Sequence, residues 1–318
     1  MKIKQISHTD LDGIGACIPV KIFAYKKQID YSYINISYDE ITNSIGSFEF
    51  GDINYITDLN FQENDIKLFL KVVKENPTKK FFYFDHHQYT DMELALFSAA
   101  QEKFVNFNYI IDTTICAAQI TYNYFEKVCG DENLKSLINL INIYDTWKTD
   151  NPLFNEAFLL DKVFWYVISN GGFHEFIFRL ERNNWLLPED FKLAQQRMIQ
   201  NKLNDYKMFE ENGMIIRGEH IFVIPTVEWI NDTRFDYPDF KAYFGFNPKK
   251  NKISIRVDDD YPEVKQFVID LLSTRNDDQL ISCGGHNFAF GITLKSNELL
   301  LDYVQFVSTR VEDFLSKN

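Results

Sequence analysis

Residues 2–15 read KIKQISHTDLDGIG and join a strand pattern to a helical pattern through a polar turn. The run KIKQIS is typical of a β-strand, and helical spacing follows from Ala16 to Tyr25. This alternation recurs through the first half of the chain, with strand candidates at 31–37, 54–59, 79–87 and 108–114 and helical patterns at 63–75 and up to residue 128. We therefore predict an α/β fold whose N-terminal part is a mostly parallel, five-stranded sheet with flanking helices.

The rest of the chain changes from helices to strands. Helical patterns dominate from about 131 to 212. The last third contains strand candidates at 214–226, 241–247, 252–257 and 290–294, with helices at 262–273 and 297–316. These patterns predict an N-terminal domain at 1–150, a helical linker at 151–212 and a smaller C-terminal α/β domain at 213–318.

Composition and charge exclude several classes of protein. The 318 residues contain no apolar run of the roughly 18 residues that a transmembrane helix needs. The polar start of the chain lacks the apolar core of a secretory signal, and the four cysteines form no Cys-x-x-Cys pair, so we expect a cytoplasmic protein without a membrane partner. With 33 basic and 46 acidic side chains, the net charge of −13 argues against a protein that coats long nucleic acid, because such proteins neutralise many phosphates.

The first polar cluster is His8-x-Asp10-x-Asp12-Gly13, at the end of the first strand candidate. In an extended backbone alternate residues point the same way, so His8, Asp10 and Asp12 can converge on one small volume. Imidazole and carboxylate ligands together suit Mn²⁺ or a similar divalent ion. An equally weighted alternative is a polar loop in which Asp12 caps the following helix.

Three more polar positions accompany apolar segments. Asp58 follows the third strand candidate, where a lone Asp more often forms a turn. Asp85-His86-His87 ends the fourth, and a metal or phosphate site is favoured there because these side chains are costly to bury without partners. Asp145 lies in an apolar helical stretch, where the alternative is a helix cap or a bond to a neighbouring side chain. Because ligands bind at the carboxyl ends of parallel strands, the polar strand ends are the expected site.

Four polar segments resemble, in the same order, the four motifs of the DHH phosphoesterases. They are His8 to Gly13, Asp58, Asp85-His86-His87 and Asp145. The segment GGHNFAFG at 284–291 looks like the Gly-Gly-His loop of the DHHA1-type domain that accompanies them. The resemblance implies a DHH metal-binding catalytic domain at 1–150. It also implies a DHHA1-type substrate-binding domain at 213–318.

The resemblance further implies a pair of Mn²⁺ ions, for which Mg²⁺ or Co²⁺ can substitute. The ligands carried over by position are His8, Asp10 and Asp58 for one ion and Asp12, Asp58, His86 and Asp145 for the other. Asp58 then bridges the two ions. Such an arrangement fits hydrolysis of a phosphate ester, because paired divalent ions activate water and hold the attacking and leaving oxygens.

The expected catalytic residues are Asp58, His87 and Asp85. The resemblance places His87 near the scissile phosphate or just behind the ligands, and it makes Asp85 the residue that orients a histidine.

The C-terminal domain is expected to bind the rest of the substrate. Gly284 and Gly285 let backbone N–H groups approach a phosphate closely, and His286 can donate a hydrogen bond to it. Ser254 and Arg256 share one face of a predicted strand and resemble the Ser-x-Arg strand of the same family. Arg256 is a candidate phosphate clamp, with an exposed Arg on an edge strand as the alternative.

The function that the resemblance leads us to expect is Mn²⁺-dependent phosphodiester hydrolysis of short single-stranded RNA, about two to five nucleotides long; the acidic chain agrees, since few phosphates need few basic contacts. Within the family the sequence looks most like the nanoRNase branch of oligoribonucleases. The alternatives are a phosphodiesterase or phosphatase for cyclic dinucleotides, linear dinucleotides or phosphoadenosine phosphate, and a non-catalytic protein that sequesters nucleotides. The resemblance also suggests a homodimer.

Overall fold

A computed structural model of the chain describes residues 1–247, 249, 251–258, 260–275, 278–285 and 288–317. The chain divides into two compact units, Met1–Met198 and Ile199–Asn318. The division falls inside a long helix, so the helical segment between the two sheets contributes to both units.

The first unit is built on a five-stranded sheet in which every strand pair is parallel. The strands are β1 (Lys2–His8), β2 (Asp30–Ile36), β3 (Ile53–Thr57), β4 (Lys80–Asp85) and β5 (Phe107–Ile111). Their order across the sheet is β2-β1-β3-β4-β5. Because all five run the same way, their carboxyl ends lie at one edge, and the predicted parallel sheet is confirmed.

The first four of the next eight described helices connect the strands of this sheet, and the other four follow β5. They are α1 (Leu11–Lys26), α2 (Ile41–Ile45), α3 (Glu63–Glu75), α4 (Asp91–Lys103), α5 (Ala117–Cys129), α6 (Glu132–Asp145), α7 (Phe154–Arg182) and α8 (Glu189–Glu211), with one 3₁₀ turn at Tyr38–Glu40. The predicted helix from Ala16 is wrong at its start, since α1 begins at Leu11. Asp10 caps it by accepting a hydrogen bond from the N–H of Gly13 at 2.9 Å.

Both faces of the sheet are covered. Along β4, Phe81 and Tyr83 pack with Phe69 of α3 and Phe97 of α4. Phe84 points to the opposite face, into a core formed with α1, α5 and α6. This alternation buries both surfaces and leaves the ends of the strands as the place for polar side chains.

The middle of the chain is helical, as predicted. The longest helix, α7, is interrupted at Gly172, whose φ of 75° lies in the left-handed region that glycine tolerates. None of the described helices combines the length and the apolarity that crossing a bilayer requires.

The second unit contains a six-stranded mixed sheet. Its strands are β6 (Ile216–Arg217), β7 (Ile221–Ile224), β8 (Ala242–Asn247), β9 (Lys252–Val257), β10 (Leu280–Gly285) and β11 (Ala289–Leu294), and its helices are α9 (Ile230–Asp236), α10 (Val264–Ser273) and α11 (Leu300–Leu315). The order is β10-β11-β9-β8-β7-β6, with only β7 and β8 parallel among the described pairs. The single strand predicted at 214–226 is two short strands, because the chain turns after Arg217 and Gly218 donates back to Ile221.

Gly13 is the residue that allows α1 to begin so close to the end of β1. A Cβ at this position would lie 2.4 Å from the backbone oxygen of His8 and 2.7 Å from its carbonyl carbon. By contrast, a Cβ added to Gly46, at the end of α2, would have no described atom within 4 Å.

We expect Gly13→Ala to lower the free energy of unfolding by about 1–3 kcal/mol, because the backbone it would strike cannot rotate away. Gly46→Ala should change it by less than about 0.5 kcal/mol. Urea unfolding of both variants in EDTA measures this difference. Equal stability of the two variants would contradict the close approach of Gly13 to the backbone of His8.

Candidate metal centre

The polar residues picked out in the first unit lie together at the carboxyl edge of its sheet. His8 ends β1, and Asp58 directly follows β3, the neighbouring strand. Asp10 and Asp12 stand at the start of α1, immediately after β1. Asp145 is the last residue of α6. We refer to His8, Asp10, Asp12, Asp58, His86 and Asp145 together as the acidic centre.

In one half of the acidic centre, His86 lies close to three carboxylates. Its Nε2 lies 3.3 Å from Oδ1 of Asp58, 3.5 Å from Oδ2 of Asp145 and 3.6 Å from Oδ2 of Asp12. The potential ligand atoms of Asp12, His86 and Asp145 all lie within 4.8 Å of one another. A small cation could therefore contact all three side chains after small movements.

The other half is formed by His8, Asp10 and Asp58. Nδ1 of His8 is 2.8 Å from Oδ2 of Asp10 and 3.9 Å from Oδ2 of Asp58. These three residues also offer ligand atoms within 4.8 Å of one another. Asp58 contacts both halves through its two oxygens, which is the arrangement that a bridging carboxylate requires.

The backbone of Asp58 is held in an uncommon conformation. Its φ of 58° is left-handed, which costs a non-glycine residue of the order of 1 kcal/mol. Its N–H donates to the carbonyl of Phe84 at 3.0 Å and so continues the pairing of β3 with β4. Backbone strain of this kind clusters at functional sites, where the surrounding structure maintains it.

Asp12 is anchored by a different helix from the one it belongs to. Its two oxygens accept the N–H groups of Ala117 and Ala118, each at 2.8 Å, at the N-terminus of α5. The helix dipole favours a carboxylate there. The alternative that Asp12 caps its own helix is wrong, since that cap is Asp10.

Asp85 orients His87 and is itself saturated with donors. One oxygen accepts from Nδ1 of His87 at 2.7 Å and from the N–H of His86 at 2.8 Å. The hydroxyl of Tyr89 donates to the other oxygen, which also lies 3.0 Å from the hydroxyl of Tyr83. Burial alone would raise the pKa of Asp85, but His87 and these donors hold it well below its usual range.

The carboxylates of the acidic centre oppose one another electrostatically. Burial and the charges of neighbouring carboxylates raise the pKa of Asp58 well above its ordinary value. Burial likewise raises the pKa values of Asp145 and Asp12, although His86 opposes the shift. Burial would lower the pKa of His86, but Asp145 and Asp12 raise it. The cluster therefore attracts positive charge.

The acidic centre also contains buried ligand atoms that make no hydrogen bond and could bind a divalent cation. Oδ2 of Asp58 and Oδ2 of Asp145 are buried and have no hydrogen-bond partner among the described residues. Nδ1 of His8 is close to Asp10 but not in hydrogen-bond geometry with it. Buried polar atoms without partners are rare, and carboxylate and imidazole atoms are ligands of Mn²⁺ and related ions.

Sequence reasoning missed Tyr38 in the 3₁₀ turn after β2. Its ring stacks on the ring of His8, with centroids 4.0 Å apart and planes 17° apart, and its hydroxyl lies 3.1 Å from Nε2 of His87. The only signal available was that Tyr38 directly follows the second strand candidate.

A second residue missed from the sequence is Asp161 in α7. Its Oδ1 accepts a hydrogen bond from Nε1 of Trp165 at 3.0 Å. Burial raises its pKa to about 6, although Lys162 and Tyr144 oppose the shift, and the charge of Asp10 adds to it. A further carboxylate thus adds to the negative potential around the acidic centre.

In the second unit, Ser254 and Arg256 lie on β9, which is between β11 and β8. The alternative of an Arg on an edge strand is therefore wrong. Nε of Arg256 donates to Oδ1 of Asn231 in α9 at 2.6 Å. Ser254 pairs across the sheet with Gly245 on one side and Gly291 on the other, so no side chain flanks it in that row.

Gly284 and Gly285 end the edge strand β10. A Cβ on Gly284 would have no described atom within 4 Å, whereas Gly285 has a φ of 128° and approaches the carbonyl of Ala289. His286 lies outside the described residues. Lys265, which sequence reasoning did not consider, donates to the carbonyl of Gly285 at 2.6 Å.

No protein-family model and no curated protein sequence matches the chain. Among solved structures, RecJ in complex with Mn²⁺ from Thermus thermophilus is 14% identical, with a TM-score of 0.56 over the whole chain. Exonuclease RecJ bound to manganese is 12% identical, with a TM-score of 0.55 over 97% of this chain and 89% of that one. The chain has the RecJ fold.

The RecJ fold confirms the predicted architecture of a DHH-like N-terminal sheet, a helical middle and a DHHA1-like C-terminal sheet. The chain spans about half the length of the Thermus RecJ, covering 52% of it. It matches the pGpG-specific phosphodiesterase PggH of Vibrio cholerae over 98% of its own length and 99% of that chain, at 11% identity and a TM-score of 0.50.

We expect Asp58→Asn to separate charge repulsion from metal binding. In EDTA the variant should be at least as stable as the wild type, because the amide removes one buried carboxylate from the centre. With Mn²⁺ at about a hundred times its dissociation constant, the wild type should gain about 2.7 kcal/mol for each site, and the variant much less.

Thermal or urea unfolding with and without Mn²⁺ measures both effects. Asp150→Asn, an exposed aspartate outside the acidic centre, is the matched control and should behave like the wild type. An equal gain from Mn²⁺ in Asp58→Asn and the wild type would remove Asp58 from the ligand set.

Proposed function

We propose that the protein is a divalent-metal-dependent phosphodiesterase of the DHH–DHHA1 superfamily that hydrolyses short oligonucleotides. The observation that carries the proposal is the acidic centre, where Asp58 lies between two sets of ligand atoms, 3.9 Å from Nδ1 of His8 and 3.3 Å from Nε2 of His86. The motif order of the sequence and the RecJ fold support it.

Mn²⁺ is the proposed ion, with Mg²⁺ or Co²⁺ as substitutes. His8, Asp10 and Asp58 would hold one ion, and Asp12, Asp58, His86 and Asp145 the other. When bound, a pair of divalent ions lowers the pKa of water and neutralises charge on a phosphate. The buried oxygens without partners on Asp58 and Asp145, and the manganese in the RecJ structures, support this assignment.

His87 is proposed to contact the scissile phosphate. Asp85 holds its Nδ1–H, so the imidazole can turn only a little and its Nε2 faces away from the carboxylate. Asp85 has a positioning role in this scheme, since both its oxygens are already occupied by donors of the protein.

The proposed substrates are small because the chain is acidic. A net charge of −13 disfavours long nucleic acids, whereas a short oligonucleotide has few phosphates to neutralise. Ser254, Arg256 and the Gly284-Gly285-His286 loop are proposed to bind the rest of the substrate. Arg256 would offer its guanidinium to a phosphate, and Gly284 has no described atom near its Cβ position, so a phosphate could approach its backbone.

A second candidate is hydrolysis of dinucleotides alone, either linear or cyclic. The similarity to PggH favours it, because that match covers nearly the full length of both chains. Both candidates use the same ions and differ in the length of substrate that the C-terminal unit accepts. Phosphoadenosine phosphate, nucleotide sequestration without turnover and a homodimer stay predictions from the sequence.

A panel of substrates tests the proposal. End-labelled RNA of two, five and twenty nucleotides, a cyclic dinucleotide and phosphoadenosine phosphate are incubated with the protein in Mn²⁺ or EDTA. We expect rapid, Mn²⁺-dependent loss of the two- and five-nucleotide RNAs, slower loss of the twenty-nucleotide RNA, and loss of activity in Asp58→Asn but not in Asp150→Asn.

The outcomes of this panel distinguish the candidates. Cleavage of dinucleotides without cleavage of the five-nucleotide RNA would favour the second candidate. Binding of Mn²⁺ and nucleotide without cleavage of any substrate would exclude a hydrolase and indicate a sequestering protein.

We also expect Gly284→Val to weaken substrate binding without weakening the fold. The side chain would enter space that no described atom occupies, so stability and Mn²⁺ affinity should not change. A phosphate that approaches the Gly284 backbone would be displaced, which should raise KM about tenfold or more, or about 1.4 kcal/mol. Gly46→Val, at another open glycine, is the control. An unchanged KM in Gly284→Val would remove this loop from the substrate site.

A further inference from the structure

The side chain of Tyr38 contacts two histidines that have different proposed roles. Tyr38 stacks on His8, the proposed metal ligand, and its hydroxyl lies 3.1 Å from Nε2 of His87, which is proposed to contact the phosphate. Its ring also meets the His87 ring edge-on, with centroids 5.8 Å apart and planes 86° apart. These contacts restrain both imidazoles from the same side.

The position of Tyr38 is fixed by the sheet and by the local backbone. Ile36, at the end of β2, pairs in register with His8, and Nδ2 of Asn35 donates to the His8 carbonyl at 2.7 Å. The turn that carries Tyr38 is closed by Glu40, which accepts from the N–H of Ser37 at 2.8 Å. Tyr38 is therefore part of an ordered turn beside the end of β1.

Asp85 fixes which nitrogen of His87 faces Tyr38. An ionised carboxylate only accepts, so Nδ1 of His87 carries the hydrogen that lies between them. Nε2, at the far side of the ring, lies 3.1 Å from the hydroxyl of Tyr38. The contacts of His87 with Asp85 at one nitrogen and with Tyr38 at the other set the orientation of its ring.

We propose that Tyr38 is a positioning residue of the acidic centre, which holds the His8 ring by stacking and the His87 ring by its hydroxyl. This inference rests on the proposed function, since that function assigns His8 to an ion and His87 to the phosphate. The two contacts belong to different parts of one side chain, so they can be removed separately.

Tyr38→Phe keeps the ring and removes the hydroxyl. We expect it to retain the Mn²⁺ affinity of the wild type and to lower kcat by about tenfold or more, with little change in KM, because only His87 loses its partner. Tyr38→Leu removes the ring as well. It should show the same loss in kcat and, in addition, a Mn²⁺ affinity about 10- to 100-fold weaker.

The matched control is Tyr33 on β2, the strand before the turn that carries Tyr38; its hydroxyl lies 2.8 Å from Nδ1 of His174, outside the acidic centre. Tyr33→Phe and Tyr33→Leu should leave Mn²⁺ affinity and kcat unchanged. Mn²⁺ affinity is measured by calorimetric titration, and kcat and KM with the dinucleotide, so that metal binding is followed independently of turnover. Thermal unfolding in EDTA shows that each variant is folded.

Unchanged Mn²⁺ affinity and kcat in both Tyr38 variants, with an active wild type, would overturn this inference and leave the proposed function intact. A rise in KM alone would also overturn it, since that pattern indicates that the Tyr38 ring contacts a nucleobase. A wild type that neither binds Mn²⁺ nor cleaves any substrate would overturn the proposed function and this inference together.

Discussion

The mutual repulsion of buried carboxylates is the constraint on which the N-terminal unit depends. Asp10, Asp12, Asp58 and Asp145 approach one another at the end of the sheet, and burial makes each charge costly. Among the described residues, no Lys or Arg forms an ion pair with any of them. Their described partners at ion-pair distance are the histidines His8, His86 and His87. Until a cation binds, the fold must therefore hold the carboxylates together by other means as well.

The backbone provides much of that support. Asp12 is held by the N-terminus of α5, Asp10 by the N-terminus of its own helix, and Asp58 by a left-handed backbone paired to β4. The supports of Asp12 and Asp10 are peptide N–H groups at helix N-termini, which stabilise a negative charge without adding a competing positive one. The core on both faces of the sheet keeps these groups in place, since moving α1 or α5 would disrupt packing at buried residues such as Ile14 and Ala118.

The sequence predicted the parallel sheet and the proximity of its polar strand ends because both follow from short-range patterns. Alternating strands and helices require parallel pairing, and parallel strands end at one edge. The contacts of Asp12 with Ala117 and of Tyr38 with His8 could not be predicted in this way. They join segments that are distant in sequence, and they depend on helix position and on the register of β1 with β2. The early start of α1 was missed because Gly13 and Gly15 weaken the helical pattern there.

Tyrosine hydroxyls hold the residues that the ions are not proposed to contact. Tyr89 donates to Asp85, and Tyr38 lies against His87. A lysine or arginine in either place would give a stronger bond, but its charge would oppose cation binding in the same low-dielectric region. A neutral hydroxyl fixes Asp85 and His87 without lowering the attraction of the centre for divalent ions. Tyr38 is 41% exposed, so it combines a contact to His87 with a solvent-facing surface. The same physical requirement, negative charge kept for a cation, thus accounts for the carboxylates, for their peptide partners and for the tyrosines beside them.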